Sequence, residues 1–186
     1  MINSYSKILH LSTVLFFGIL TAMSLGFTSW QQLGLDIDGE AEGDESGESV
    51  SLSADGSRLA IGAVFNQGNG TSSGHVRIYQ WNEGSWQQLG SDIDGEAEGD
   101  WSGFSVSLSA DGSRVAIGAT RNDGNGEDSG HVRIYQWNGA SWQQLGLDID
   151  GEAAGDFSGF SVSLSADGSR VAIGSVFNGG NGADAG

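Results

Sequence analysis

Residues 85–141 read SWQQLGSDIDGEAEGDWSGFSVSLSADGSRVAIGATRNDGNGEDSGHVRIYQWNGAS, and the chain on both sides nearly repeats this stretch. Trp30, Trp86 and Trp142 begin three copies in the same phase, 56 residues apart. A fixed period of this length is typical of solenoids and propellers, in which each unit buries its apolar faces against its neighbours. The 186-residue sequence therefore predicts an array of stacked units.

Acidic residues dominate the charge of the chain. Asp and Glu number 24 against 7 Lys and Arg, for a formal net charge of −17. Such a field repels phosphate backbones, so no nucleic acid partner is expected. The chain has no cysteine, which excludes disulfides and thiolate metal sites.

The N-terminal segment differs from everything that follows. Lys7 precedes an apolar run over residues 8–25, and small residues, Ala22, Ser24 and Gly26, offer cleavage positions. This pattern predicts a signal peptide over residues 1–26, and hence a secreted or cell-surface protein with no other membrane segment. An uncleaved anchor is the alternative, because the run approaches the roughly 20 residues that span a bilayer. The repeats then occupy residues 27–186.

Within each copy the apolar residues recur with a period of two. Val106 and Leu108 alternate with serines, and Asp111-Gly112 marks a tight turn into the next strand. The second copy is thus predicted to contain strands over 105–109, 114–119, 131–137 and 141–145, with a Gly-rich loop over 122–130. Four short antiparallel strands without a helix pattern match one blade of a β-propeller, so the predicted fold is all-β with four-stranded blades.

The strand pair of each copy also carries a recognisable motif. Gly103-Phe104-Ser105-Val106, followed by Ala116-Ile117-Gly118-Ala119, resembles the FG-GAP repeats of integrin-type propellers, in particular the short bacterial and algal variety. The motif returns at 159–175 and at 47–63, where Glu48 replaces the aromatic residue. The resemblance implies several propeller blades in an extracellular protein that serves adhesion or ligand binding. WD-like periplasmic repeats are the second resemblance and imply the same architecture.

One departure from the family concerns calcium. Many FG-GAP repeats carry D-x-N-x-D-G-x-x-D between the first two strands, whereas residues 109–114 here read SADGSR. A single Asp cannot supply the six to eight oxygens that calcium takes. The usual calcium site of the family is therefore expected to be absent.

Acidic segments that precede the first strand of each copy are the other candidate for metal binding. Alternate carboxylates interrupted by glycine can surround a hard cation such as calcium. The competing interpretation is a solvated acidic connector between blades. The candidate calcium ligands are Asp36, Asp38, Glu40, Asp44, Asp92, Asp94, Glu96, Asp100, Asp148, Asp150, Glu152 and Asp156.

Histidines and aromatic residues recur with the period. His75 and His131 share one position, and we expect hydrogen-bonded structural residues there. The periodic tryptophans are expected to fill contacts between blades. Trp101 differs, because its equivalents are Glu45 and Phe157, and a position that varies on a constant scaffold is expected to be exposed. Trp101 and Phe157 are therefore candidate ligand contacts.

The third copy stops within its Gly-rich loop, where the second copy enters HVRIYQWN. Closed propellers have four to eight blades, and an open row exposes unpaired strand edges. Three interpretations follow: a fragment of a longer protein, self-association through open edges, or an incomplete array.

No nucleophile, base and metal set of the kind that catalysis requires is evident, so no enzyme is expected. The predicted function is a binding or adhesion module at or outside the cell surface, with a protein or glycan ligand. The alternatives are a structural spacer without a ligand and the propeller part of a carbohydrate-active enzyme.

Overall fold

The computed structural model describes residues 30–183 and 185–186. The predicted signal peptide over residues 1–26 lies outside these residues. Residues 34–186 form one compact unit, and residues 1–33 are assigned to a second unit of which only 30–33 are described. In the described part of the chain every regular element is a β-strand, which confirms the all-β prediction. The same part holds no helix with the length and apolar character needed to cross a bilayer.

The strands fall into three groups that repeat with the copies. The first blade contains β1 to β5, the second β6 to β10, and the third β11 and β12. Their bounds are β1 (Ser46–Leu52), β2 (Arg58–Ala63), β3 (His75–Asn82), β4 (Ser85–Gln88), β5 (Ile93–Asp94), β6 (Ser102–Leu108), β7 (Arg114–Ala119), β8 (His131–Trp137), β9 (Trp142–Gln144), β10 (Ile149–Asp150), β11 (Ser158–Leu164) and β12 (Val171–Ser175).

The first two blades are antiparallel sheets in which the chain passes from one strand to its neighbour. The first strand pairs with the second and the second with the third. Opposite β8, the fourth strand comes in two pieces, because β9 pairs with one end and β10 with the other. The single strand predicted over 141–145 is therefore shorter than expected. Gly146 lies between the pieces with a φ of 85°, a left-handed conformation that interrupts the ladder.

A bulge in the first strand brings neighbouring blades together. The register of β6 against β7 shifts between Ser102 and Ser105, and Gly103 has a φ of 87°. A side chain on Gly118 would collide with the carbonyl oxygen of Gly159 in the next blade. The Ser105 hydroxyl donates to the same oxygen at 2.7 Å. The glycines of the repeated motif thus set the distance between blades.

Equivalent residues of successive copies are hydrogen-bonded to each other. The Ala54 amide donates to the Ala110 carbonyl at 2.8 Å, and the Ala110 amide to the Ala166 carbonyl at 2.8 Å. The Leu108 amide donates to the Ser51 hydroxyl at 2.9 Å. These contacts place the first strands of the blades side by side, and they confirm blades of the propeller type. The buried core continues across them through Ala60, Val76, Ile78, Ile93, Val106, Leu108, Val115, Ile117 and Tyr135.

The tryptophans of the third and fourth strands lie at contacts between blades, as predicted. The ring centroids of Trp137 and Trp142 lie 5.5 Å apart, and the Trp142 indole donates to the Leu89 carbonyl of the first blade at 2.8 Å. The prediction was wrong for Trp30, which is fully exposed. Trp142 follows a third strand that supplies Trp137, whereas the residue at the matching distance before Trp30 is Leu25 of the apolar N-terminal segment.

Candidate functional site

Two kinds of segment meet at one end of the blades, which we call the loop end. The Gly-rich loop between the second and third strands packs against the acidic segment that leads into the next blade. The amides of Gly99 and Trp101 donate to the carbonyls of Thr71 and Ser72, at 2.9 and 3.2 Å. The same pair of bonds recurs 56 residues later, from Gly155 and Phe157 to Glu127 and Asp128. The loop end therefore combines residues that are distant in sequence and repeats from blade to blade.

The last carboxylate of each acidic segment stabilises a turn. Asp100 is buried, and its Oδ2 accepts hydrogen bonds from the amides of Glu96 and Ala97, at 3.2 and 2.9 Å. The Asn122 side chain donates to the same oxygen at 3.1 Å. Asp44 and Asp156 hold the equivalent turns. These three carboxylates fix the backbone of the acidic segment.

Other carboxylates of the segments lie against neighbouring loops. Asp94 ends β5, with its side chain near Gly68 of the loop, and Asp150 of β10 approaches Gly124 in the same way. The Asp94 carbonyl accepts a hydrogen bond from Arg133 at 2.7 Å, as Asp38 does from Arg77. Glu152 accepts a hydrogen bond from Asn178 at 3.2 Å, and Asp36 is exposed.

The remaining carboxylates gather around the histidines in two equivalent groups, which we call the Glu–His–Asp clusters. In the first, Nδ1 of His75 lies 3.8 Å from Oε2 of Glu40 and 3.8 Å from Oδ2 of Asp92. In the second, Nδ1 of His131 lies 3.8 Å from Oε2 of Glu96 and 4.0 Å from Oδ2 of Asp148. The ligand atoms of each cluster all lie within 4.8 Å of one another.

The acidic segment over residues 92–100 contributes carboxylates to two different clusters. Asp92 and Glu96 belong to one segment, yet Asp92 joins the cluster of His75 and Glu96 joins the cluster of His131. Among residues 30–183 and 185–186, these two clusters are the groups of three or more metal-ligating side chains at this spacing. Calcium binding by the segments stays a prediction.

The histidines differ from the sequence-based expectation. Both rings are 1% exposed, and Nδ1 of each is buried without a hydrogen-bond partner, as is Nε2 of His75. Expecting hydrogen-bonded structural histidines was therefore wrong, because the facing carboxylates stand too far away for a hydrogen bond. Burial lowers the pKa of both histidines, against the opposing pull of the nearby carboxylates. Both imidazoles are thus neutral at pH 7.

A second feature of the loop end is a row of side chains that vary between copies, which we call the variable row. It consists of Phe65, Trp101, Arg121, Phe157 and Phe177. The ring centroids of Phe65 and Trp101 lie 5.3 Å apart, and the Arg121 guanidinium lies 4.0 Å above the Trp101 ring. Arg121 also lies 5.8 Å from the centroid of the Phe157 ring, and the Phe157 and Phe177 ring centroids lie 5.4 Å apart.

The two candidate ligand contacts of the sequence, Trp101 and Phe157, are consecutive aromatic members of this row. Both are half-buried rather than freely exposed, because neighbouring loops cover one side of each ring. Their φ angles are 57° and 52°, a left-handed conformation that is costly for a bulky residue. Arg121 was missed by sequence reasoning, although its equivalents Phe65 and Phe177 showed that this position also varies.

Comparison with known families agrees with the motif at the blade contacts. Residues 92–135 match the family model of the FG-GAP repeat. This segment of the second copy is an FG-GAP repeat. The match runs from the acidic segment to the third strand of the second copy, and the other copies repeat that sequence. No curated protein matches the chain.

The FG-GAP turn between the first two strands is held by serines in this chain. Oδ1 of Asp111 accepts hydrogen bonds from the Ser109 hydroxyl at 2.6 Å and from the Ser113 amide at 2.9 Å. The Ser113 hydroxyl donates to Oδ2 at 2.8 Å. Together these bonds lower the pKa of Asp111 from 3.8 to about 2, and the bond from the Ser109 hydroxyl has the largest effect. Protein donors thus surround the carboxylate at the position where many FG-GAP repeats bind calcium.

Proposed function

We propose that this FG-GAP repeat protein is a binding or adhesion module outside the cell, which recognises a protein or glycan through its loop end. The variable row is the observation that carries the proposal. FG-GAP repeats are typical of extracellular and cell-surface proteins, and the predicted signal peptide agrees with that location. The proposal assigns no catalysis to the chain.

The variable row stands out against a first turn and a third strand that are constant between copies. The turn SADGSR is identical in all three copies, and HVRIYQWN is identical in the two copies that contain it. In contrast, one position of the row reads Trp101 and Phe157, with Glu45 as its equivalent, and the other reads Phe65, Arg121 and Phe177. Repeat proteins present such differing residues on a shared scaffold as binding surfaces. Aromatic and arginine side chains that differ between copies and contact one another therefore support a recognition surface.

The chemistry of the row suits stacking. Aromatic faces offer a large apolar contact to sugar rings or to side chains, and Trp and Arg are the residues that most often dominate binding energy. Phe177 is 47% exposed at one end of the row, and the rings of Trp101 and Phe157 remain partly accessible. A ligand that crosses neighbouring blades would contact several members at once.

A spacer without a ligand is the second candidate, favoured by a different observation. The amide-to-carbonyl bonds from Ala54 to Ala110 and from Ala110 to Ala166 have the same length, so the blades continue regularly along the array. A spacer requires this regular stacking but requires no binding surface at the loop end. The two candidates therefore differ in whether the variable row matters.

Glycan and cell-surface protein arrays probed with the full chain test the proposal. We expect binding to at least one class of ligand, and a loss of about tenfold or more when Trp101 and Phe157 are both replaced by Ala, equal to about 1.4 kcal/mol. Leu147→Ala is the matched control, because it removes an exposed apolar side chain outside the row. Absence of any ligand, or equal binding by the double variant, would favour the spacer. Hydrolysis of a bound glycan would instead indicate a carbohydrate-active enzyme.

A further inference from the structure

We propose that each Glu–His–Asp cluster binds one divalent transition-metal ion of the zinc type, held by Glu40, His75 and Asp92 in the first cluster and by Glu96, His131 and Asp148 in the second. The inference is independent of the variable row, since it uses other residues of the loop end. It assigns a role to histidines that the binding proposal does not use.

A cation accounts for atoms that have no other partner. Nδ1 of His75 is buried without a hydrogen bond, and it faces two carboxylate oxygens at 3.8 Å. Hydrogen bonds of an N–H to oxygen measure about 2.7–3.2 Å, so these contacts are too long. A buried polar atom without a partner costs free energy, and two facing carboxylates repel each other. An ion between the three atoms removes both costs.

The outer oxygens of the carboxylates are already held by other side chains. In the second cluster Oε1 of Glu96 lies 3.4 Å from the Arg133 guanidinium, which leaves Oε2 facing His131. Oδ1 of Asp148 accepts a hydrogen bond from Gln144 at 2.6 Å, which leaves Oδ2 facing the same ring.

Arg77 and Gln88 act in the same way in the first cluster, on Glu40 and Asp92. Metal sites commonly orient their carboxylate and imidazole ligands through such outer contacts. The repetition in two blades means that the arrangement belongs to the repeat itself.

The donor set selects the class of metal. Calcium and magnesium take oxygen ligands, whereas imidazole nitrogen suits zinc and its transition-metal neighbours. One histidine and two carboxylates are three protein ligands, the number that leaves a tetrahedral zinc ion one open position. Ligand atoms around zinc at about 2.0–2.1 Å stand about 3.3 Å apart, so each 3.8 Å distance between the His75 nitrogen and a carboxylate oxygen must shorten by roughly half an ångström. Glu40 and Asp92 are 44% and 28% exposed, which leaves them room to move.

The position of the clusters gives the ion a structural consequence. His131 and Asp148 belong to the second blade, while Glu96 lies in the connector between the first and second blades. An ion there fastens the connector to the blade that it enters. In the first cluster Glu40 and Asp92 line a cavity together with Asn66 and Gly68 of the Gly-rich loop, which gives water access to an ion there.

Isothermal titration of the metal-free full chain with Zn²⁺ tests the assignment, with Ca²⁺ titrated in parallel. We expect two Zn²⁺ per chain, a Zn²⁺-induced rise in Tm, and weak or no Ca²⁺ binding at these positions. Co²⁺ in place of Zn²⁺ should give visible absorption bands that report a nitrogen and oxygen ligand set. Asp92→Asn with Asp148→Asn should abolish both sites while the fold, followed by circular dichroism, is kept.

The double variant His75→Gln with His131→Gln should also lose Zn²⁺ binding. If this variant fails to fold, the aspartate double variant still tests the proposal. The control is Glu42→Gln with Glu98→Gln, which removes the same charge as the aspartate pair from exposed positions of the acidic segments outside the clusters. Its titration should match the parent chain. No Zn²⁺ binding by the parent, unchanged stoichiometry in the aspartate variant, or tighter binding of Ca²⁺ than of Zn²⁺ by the same residues would overturn the proposal.

Discussion

Gly118 shows at the scale of one residue how a repeated motif controls blade spacing. Its Cα faces the Gly159 carbonyl of the next blade, and the Ser105 hydroxyl bonds to that same oxygen. Gly118→Ala would place a methyl group on the backbone of the neighbouring blade, which cannot move away as a flexible side chain would. We expect a loss of stability of about 1–3 kcal/mol or more, because overpacking forces the backbone to shift.

Urea unfolding followed by circular dichroism measures this loss. Gly179→Ala is the control, because the space around Gly179 is nearly open and its φ is not left-handed. Equal midpoints for the two variants would mean that the blades do not approach as closely as the structure shows.

Individual residues of the loop end show which of its features the sequence predicts and which it does not. The acidic segments and the periodic histidines were both evident, but their association was not, because Asp92 and Glu40 are separated by a whole copy. The pairing of β5 with β3 places Asp92 beside His75, and Arg77 of β3 lies against Glu40. Arg121 was equally hidden, since its contact with Trp101 depends on the turn that joins the Arg121 amide to the Asp100 carbonyl.

At the scale of an element, the turn from Ser109 to Arg114 shows how hydroxyl groups support a strand hairpin. The Asp111 carboxylate accepts bonds from Ser109 and Ser113, and the Ser109 hydroxyl accepts one from the Arg114 amide at 3.0 Å. Asp55 and Asp167 make the same turn, and hydrogen bonds from the adjoining serines lower the pKa of each from 3.8 to about 2. The turn is therefore most stable when its carboxylate is ionised.

Asp111→Asn tests this turn through the pH dependence of unfolding. Because the pKa of Asp111 is lower in the folded chain than in the unfolded chain, its contribution is present above about pH 4 and is lost as the pH falls towards 2. We expect the variant to melt at a lower temperature than the parent at pH 7, and the gap to narrow between pH 4 and pH 2. Thermal melts across this range measure the gap, with Glu127→Gln as a control for loss of an exposed carboxylate. A gap that stays constant with pH would contradict the assigned role of the turn.

The strands were the most predictable elements, because alternating Val, Leu and Ser residues define their faces and Asp-Gly defines their turns. The predicted bounds of 114–119 and 131–137 agree with β7 and β8. The fourth strand was harder to predict, since Gly146 interrupts a segment whose residues favour a strand on both sides. Whether a glycine adopts this left-handed conformation depends on the tertiary contacts around it, which the local sequence does not specify.

At the scale of the whole molecule, the loop end exists only if the blades stack. Every contact in the variable row, from Phe65 to Phe177, joins residues of neighbouring segments, and the second Glu–His–Asp cluster requires the connector between two blades. Stacking itself rests on bonds that recur from copy to copy. The guanidinium of Arg114 donates to the Gly168 carbonyl at 2.9 Å, as that of Arg58 does to the Gly112 carbonyl at 3.0 Å. The proposed binding surface is thus a property of the array and not of one copy.

Hydrogen exchange of the Ala110 amide in the native chain tests this stacking most directly, because its hydrogen bond goes to Ala166 in the next blade. We predict exchange about 100-fold slower than that of the Ala140 amide, which lies in an exposed hairpin turn and opens locally. The Gly118→Ala variant should reduce the difference in exchange rate between the Ala110 and Ala140 amides, because it weakens the stacking of the blades. Exchange of Ala110 as fast as that of Ala140 would mean that the copies fold as separate hairpins, and it would contradict the stacked array on which the loop end depends.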